Sequence, residues 1–354
     1  TVTVKAGVIG TNLDGWCSIA GHKLLGMVMT VQVKGGPTAS PTISPTAGVH
    51  DHGSQTGPSA AGDIDLMKKP DASFEARDAV LPPATSDTVH KYTFTVREGM
   101  REVAPGIKQT LWTFDGTAPG TTLRGKVGDR FEITLINDGS IGHSIDFHAG
   151  SLAPDEPMRT IQPGEHLTYN FTATRSGIWL YHCSTVPMSL HIANGMYGVV
   201  IIDPPGLTPV AKEFVFVQAE YYLGQQGGIA DLTRINTQHP DLVVFNGYAN
   251  QYAYRPIDVT VGEKVRIWLM DAGPNTASAF HVVGGQFDTA FSEGDYLLRN
   301  GGSTGTGGSQ VFPMQPAQGG FVELTFPQVG NYPFVSHIMS DAEKGASGIF
   351  HVTK

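Results

Sequence analysis

Apolar positions along most of this chain fall in short alternating runs without the three-to-four-residue spacing of an amphipathic helix. KYTFTV (91–96), KVGDRFEITLIND from Lys126, LTYNFTA, GIWLYHC and YGVVIID each have the length and pattern of a strand, bounded by glycine, proline or Asp/Asn turns. A later series repeats the outline: EFVFVQAEYY, DLVVFNG, DVTVGEKVRIWLMDAG, FHVVGG, GGFVELTFPQVGNYPFVSH and SGIFHV. KVGDRFEITLINDG (126–139) aligns with TVGEKVRIWLMDAG (260–273), and QPGEHLTYNFTATRSGIWLYHC aligns with QPAQGGFVELTFPQVGNYPFVSH. The repeat predicts two copies of one β-sandwich, the second lacking the cysteine of the first. Helix is expected only as a turn or two near residues 229–235 and 340–344.

Composition fits an all-β class, since 44 glycines and 23 prolines in 354 residues supply many turns. Residues 1–34 read as the C-terminal part of a further β domain, because so short a piece cannot close a sandwich alone. Residues 35–87 read as a linker and arm: GGPTASPTISPTAGVHDHGSQTGPSAAG holds almost no large apolar side chain. The two sandwich domains are expected at 88–205 and 206–354. The net charge of −9 is diffuse and forms no basic patch, which argues against a nucleic-acid partner. No apolar run reaches the ~20 residues of a membrane helix, and no charged, then apolar, leader opens the sequence, so any signal or anchor is expected to lie outside it.

Histidine, cysteine and methionine carry the chemistry. The two cysteines, Cys17 and Cys183, are each followed by histidine and then methionine. Thiolate, thioether and imidazole together suit copper, and a cysteine in a disulfide would not be free to ligate. In GHSIDFHAG (142–150), His143 and His148 are five residues apart and face opposite sides of a regular strand, with Asp146 on the His148 side. GIWLYHCSTVPMSLHIANGM (177–196) adds Cys183, His191 and Met196. With His143 these make the two-histidine, one-cysteine, axial-methionine set of a blue-copper site. His182 points away from its neighbour Cys183 and is placed to join His148 on a second metal. His90, His166, His239 and His351 are expected to be solvated or hydrogen-bonded, and His50 and His52 lie in the linker.

At these residues the chain resembles the copper-containing nitrite reductases over roughly residues 88–354. The resemblance rests on HSIDFHAG, YHC with HIANGM behind it, VVFNG, FHVVGG and the VSH that ends the penultimate strand. It implies tandem cupredoxin-type Greek-key sandwiches, with a type 1 copper on His143, Cys183, His191 and Met196 and a type 2 copper on His148, His182 and His337. His337 would come from a neighbouring subunit of a homotrimer. Asp146 and His281 would deliver protons, and Val283 would crowd the substrate, nitrite, during its one-electron reduction to nitric oxide. The resemblance further implies an extracytoplasmic location, periplasm or cell surface. The electron donor would be an appended cupredoxin, a separate small copper protein or a cytochrome c. A two-domain laccase is the nearest rival, but it needs His-x-His pairs and a His-Cys-His, whereas serine follows Cys183 and the one His-x-His is in the linker. A type 1 electron carrier without turnover would have no use for His148, His182 and His337.

WCSIAGHKLLGM (16–27) repeats the ligand loop in miniature: Cys17, His22 and Met27 match Cys183, His191 and Met196. It resembles the end of an appended cupredoxin domain serving as a built-in electron donor, with a possible extra copper. The fourth ligand would be a histidine well upstream, and none of the residues before Cys17 is histidine. The segment therefore reads as the end of a domain that begins before this sequence, in preference to a remnant without copper.

Overall fold

The computed structural model describes residues 57–354 and, as backbone alone, the two short strands Leu13–Trp16 and Val28–Val31, which pair antiparallel. The main body is all-β. One four-stranded sheet holds, in order, Leu123–Lys126, Tyr197–Asp203, Gly177–His182 and Asp146–Phe147; it faces a second, of Ile107–Phe114, Val89–Ala104, Arg130–Asn137 and His166–Thr172. A further pair of sheets follows. The six-stranded one runs Leu242–Phe245, Lys212–Tyr221, Lys264–Asp271, Gly319–Thr325, Thr289–Ser292, Asp295–Leu298, and the five-stranded one runs Arg255–Thr260, Ser347–Thr353, Gly330–Ser336, Ser278–Val282, Phe312–Met314.

Alternation decides which side of each strand is buried. In Arg130–Asn137 the odd positions Phe131, Ile133 and Leu135 are buried while Arg130 and Ile136 are exposed. They join Phe94, Phe114, Phe147 and Tyr181 in the core of the first sandwich, and Phe216, Phe280, Phe334 and Phe350 form the core of the second. A third apolar cluster fills the space between the sandwiches: Ile178, Leu180, Val199 and Ile201 from one side meet Val215, Val217, Trp268 and Phe321 from the other. Strand Gly177–His182 is therefore covered on both faces, with Ile178 and Leu180 toward the other sandwich and Tyr181 toward its own core. Such a strand has little freedom to slip, because a one-residue shift would exchange two apolar faces at once.

Ion pairs cross the same junction. Arg124 pairs with Asp203 at 3.1 Å and with Glu213 at 2.9 Å, while buried Arg266 reaches Glu213 at 3.2 Å and Glu323 at 2.5 Å. Trp268 donates its indole N–H to Glu213 at 2.9 Å. Residues 57–87 form an arm laid over the body. Ser59 bridges to Gln225 and Val80 to Phe214, and the arm's Ala60, Ala79 and Leu81 are buried.

Short helices occupy Leu232–Asn236 and Met339–Ala342, close to the expected turns. Two more, Met188–Ala193 and Gln251–Tyr254, were not signalled by the sequence, being too short to show a period. His90 is hydrogen-bonded, one of the two expected states: it is buried on Phe131, and its Nε2 lies 2.9 Å from the Asp129 carboxylate.

Trp268 is fully buried at the junction and also donates to Glu213, so Trp268→Ala leaves a cavity and removes one of the three partners of that carboxylate, which keeps Arg124 and Arg266. The expected cost is about 3–5 kcal/mol of unfolding free energy by denaturant titration. A loss below about 1 kcal/mol would show that the sandwiches do not depend on this contact.

Candidate metal centres

Cys183 follows strand Gly177–His182 and faces the core of the first sandwich, where its side chain is fully buried. His191 Nδ1 lies 3.3 Å and His143 Nδ1 3.9 Å from its Sγ. The two imidazoles meet edge to face at 5.1 Å, and the Trp112 indole packs on both, at 4.8 Å and 5.7 Å. His191 rides on the helix Met188–Ala193, which folds the loop back beneath Cys183. The loop closes where the Cys183 amide donates to the Met196 carbonyl at 3.1 Å, and Met196 is itself fully buried.

Electrostatics favour a thiolate here. Burial alone would push the Cys183 thiol up, but the charge and hydrogen bonds of His191 and His143 outweigh it and hold it well below the usual thiol range. The Ser144 amide also donates to Sγ, at 3.4 Å. A buried thiolate, two imidazole Nδ1 atoms and a buried methionine are a donor set for a soft cation, and copper fits it.

A residue that the sequence did not signal stands behind His143. Glu98, on strand Val89–Ala104, has its Oε1 3.6 Å from His143 Nε2, too long for a hydrogen bond and close enough for an ion pair. Ser140 donates to Glu98 through both its amide and its hydroxyl, each at 2.7 Å. The His143 imidazole, opposed by burial and helped by Ser140, holds the Glu98 carboxyl down to about 2. Burial lowers His143, but Cys183 and Glu98 raise it above its usual value.

The second cluster lies one residue away along the chain. His182 and His148 bring their Nε2 atoms to 3.0 Å, rings edge to face at 5.1 Å. The Asp146 carboxylate stands 3.7 Å and 4.0 Å from those two nitrogens. His182 Nδ1–H donates to the Cys183 carbonyl at 2.9 Å, which leaves Nε2 as the lone-pair nitrogen. Either the Nε2–H of a neutral His148 or a cation can lie between the two nitrogens. Burial and the neighbouring His182 lower His148 against the pull of Asp146, which keeps the ring neutral and able to ligate. With Asp146 beside them, the two imidazoles could hold a metal ion. Tyr169, also unsignalled in the sequence, lies next to Asp146; burial, and then the Asp146 charge, push its hydroxyl up to about 12.

His337, His281 and Val283 are on the second sandwich. The His337 and His281 rings meet edge to face at 5.3 Å, and His281 Nδ1 donates to the Gln310 carbonyl at 2.6 Å. His337 is exposed and Val283 is 46% exposed. The single chain thus presents two half-sites: Asp146, His148 and His182 converge, and His337 is not among them. Cys17, His22 and Met27, like His50 and His52, lie outside the described residues. The flanking strands place Trp16 opposite Val28, the residues just before Cys17 and just after Met27. His182 and Tyr197 are paired in the same way around Cys183 and Met196.

A family model described as multicopper oxidase matches residues 95–206. The chain is 35% identical over 288 residues to the copper-containing nitrite reductase of Neisseria gonorrhoeae, covering 76% of this chain and 70% of the relative. It is 28% identical to that of Rhizobium sullae, covering 95% and 92%. Among solved structures, the copper nitrite reductase of Nitrosomonas europaea superposes with a TM-score of 0.68 at 33% identity, covering 75% of this chain and 94% of that one.

Glu98 titrates near its usual 4.5 when unfolded and at about 2 when folded. Its ionised form therefore stabilises the copper-free fold above the higher value, and that contribution is lost as pH falls toward the lower one. Copper-free protein should be more stable than Glu98→Gln at about pH 6, with the gap closing near pH 2, read by unfolding at a series of pH values. A pH-independent gap would mean that the carboxylate charge plays no part.

Proposed function

The chain belongs to the copper-containing nitrite reductases, and on that premise we propose which of its residues do the work. It is an oxidoreductase that reduces nitrite to nitric oxide, using type 1 and type 2 copper. His143, Cys183, His191 and Met196 hold the first; His148 and His182 hold the second, completed by His337 of an adjacent copy in a homotrimer. The observation that carries this reading is the pair of half-sites, two converging imidazoles on one sandwich and one exposed imidazole on the other. When bound, copper supplies one-electron transfer at the thiolate site and polarises an N–O bond at the imidazole site.

The chain's own residues do the rest. Cys183 and His182 are consecutive, so one short covalent path joins the two ligand sets. Ser144 holds the sulfur by its amide, and Glu98 backs the His143 ring. Converting nitrite to nitric oxide and water takes one electron and two protons, so groups able to hold protons must border the site. Asp146 is placed for this, within 4.0 Å of both imidazole nitrogens. His281 anchors Nδ1–H on the Gln310 carbonyl and keeps Nε2 for proton exchange on the His337 side. Val283 adds apolar bulk beside them. This reading places the enzyme outside the cytoplasm, in the periplasm or on the cell surface, in denitrification. Its electrons come from an N-terminal cupredoxin containing Cys17, His22 and Met27, or from a separate small copper protein or cytochrome c.

Asp146→Asn keeps the volume and removes the exchangeable proton. The variant should retain two coppers per chain and the blue colour while nitric oxide production falls by about 10²-fold or more. Turnover within a few-fold of the parent would remove Asp146 from the proton path.

A further inference from the structure

The His143 ring is shut from solvent, and one of its nitrogens lacks a hydrogen bond. Its Nδ1 lies 3.9 Å from the Cys183 sulfur, while Nε2 is buried with no hydrogen-bond partner. An imidazole that ligates through Nδ1 carries its proton on Nε2, and a buried N–H without an acceptor keeps its whole desolvation cost. The acid that stands beside that nitrogen, with Oε1 3.6 Å away, is Glu98.

Glu98 is held in place by the turn that leads to His143. The Ser140 amide donates to Oε1 and the Ser140 hydroxyl to Oε2, each at 2.7 Å, and two donors on one carboxyl favour its ionised form. The turn is shaped to that carboxylate, since a Cβ on Gly139 would fall 2.7 Å from Oε1. Asn137 fixes the turn at its base. Its Oδ1 accepts from the Gly139 amide at 3.0 Å, and its Nδ2 donates to the carbonyls of Ile141 at 2.8 Å and Ile161 at 2.9 Å. Ile161 then exchanges backbone hydrogen bonds with His143, at 3.0 Å and 2.8 Å. Carboxylate and imidazole are therefore set by the same piece of backbone.

Strand pairing adds an indole. Glu98 and Trp112 are directly opposite each other where Val89–Ala104 pairs with Ile107–Phe114, so both side chains leave the sheet on one face. Trp112 packs on the rings of His143 and His191, and its amide donates to the Asn194 carbonyl of the ligand loop at 2.8 Å. Trp112 is buried, so little water stands beside the two rings to screen a charge placed behind them.

We propose that Glu98 is a positioning residue for copper at Cys183: its carboxylate takes the His143 Nε2–H, leaving Nδ1 for the metal, and its charge lowers the reduction potential of the site. The inference rests on the reading of His143, Cys183, His191 and Met196 as a type 1 copper site, and adds what sets the driving force there. A negative charge behind the ring stabilises copper(II) more than copper(I), because the former carries the larger charge. An electron held at this site is thereby given up more readily than at one backed by a neutral acceptor.

The test is a redox titration of the thiolate-to-copper band in the copper-loaded full chain, without nitrite. Glu98→Gln keeps the volume and an acceptor oxygen and removes the charge. It should keep the band and shift the ratio of copper(II) to copper(I) affinity roughly tenfold toward copper(I), a rise of about 59 mV in the one-electron potential. A ratio within about twofold of the parent, or a shift toward copper(II), overturns the inference. Ser140→Ala strips one donor from the carboxylate, leaves its charge less offset, and should move the ratio the opposite way by about twofold. If Glu98→Gln does not fold, Ser140→Ala decides alone, and no shift or a shift toward copper(I) overturns the inference. A parent without the band removes the copper reading at Cys183 and this inference with it. A parent with the band and an unmoved Glu98→Gln removes this inference alone.

Discussion

Successive side chains of an extended strand point to opposite faces, and the adjacent pair His182 and Cys183 turns that constraint into two candidate ligand clusters one residue apart. Cys183 faces the core of the first sandwich with His143, His191 and Met196, and His182 faces outward to His148 and Asp146. The segment around the two-residue strand Asp146–Phe147 divides likewise, although it is not the regular strand expected: His143 goes to the thiolate cluster and His148 to the imidazole cluster. Everything else serves to keep this strand from shifting. Its two-sided burial, against its own core and against Trp268 and Phe321 of the other sandwich, does so directly.

Burial also sets the chemistry. A thiolate deep in a sandwich is unfavourable on desolvation grounds, and the two imidazoles reverse the balance. The outer cluster is less enclosed, with His148 about a third exposed, as an approach for a small anion requires. His337, the third imidazole of the proposed site, stands exposed on the far sandwich with its ring against His281.

Much of this was legible because it depends on alternation and spacing. The strands and the all-β class follow from period-two patterns, and the separate groups around Cys183 and His182 were read from the spacing of histidine, cysteine and methionine. Glu98 was not legible, since it reaches His143 through the pairing of strands distant in sequence and looks like any exposed strand glutamate. Tyr169 was hidden for the same reason. The helix Met188–Ala193 was too short to show a period, yet it aims His191. The alignment of the two halves was visible as sequence, but only strand pairing fixed the register that sets Ser336 opposite Cys183 and makes His281 the counterpart of Asp146. Of the two similar frameworks, the first carries Cys183 and the second carries His337 next to Ser336.

On the proposed route, electrons enter at Cys183 and leave to nitrite through the His148 and His182 site. Fully copper-loaded protein, reduced until its blue band is bleached and then mixed with nitrite without oxygen, should recover the band as nitric oxide appears. His148→Ala, with its blue site loaded and reduced in the same way, should stay bleached. Recovery of the band at an equal rate in that variant, with nitric oxide release, would contradict the claim.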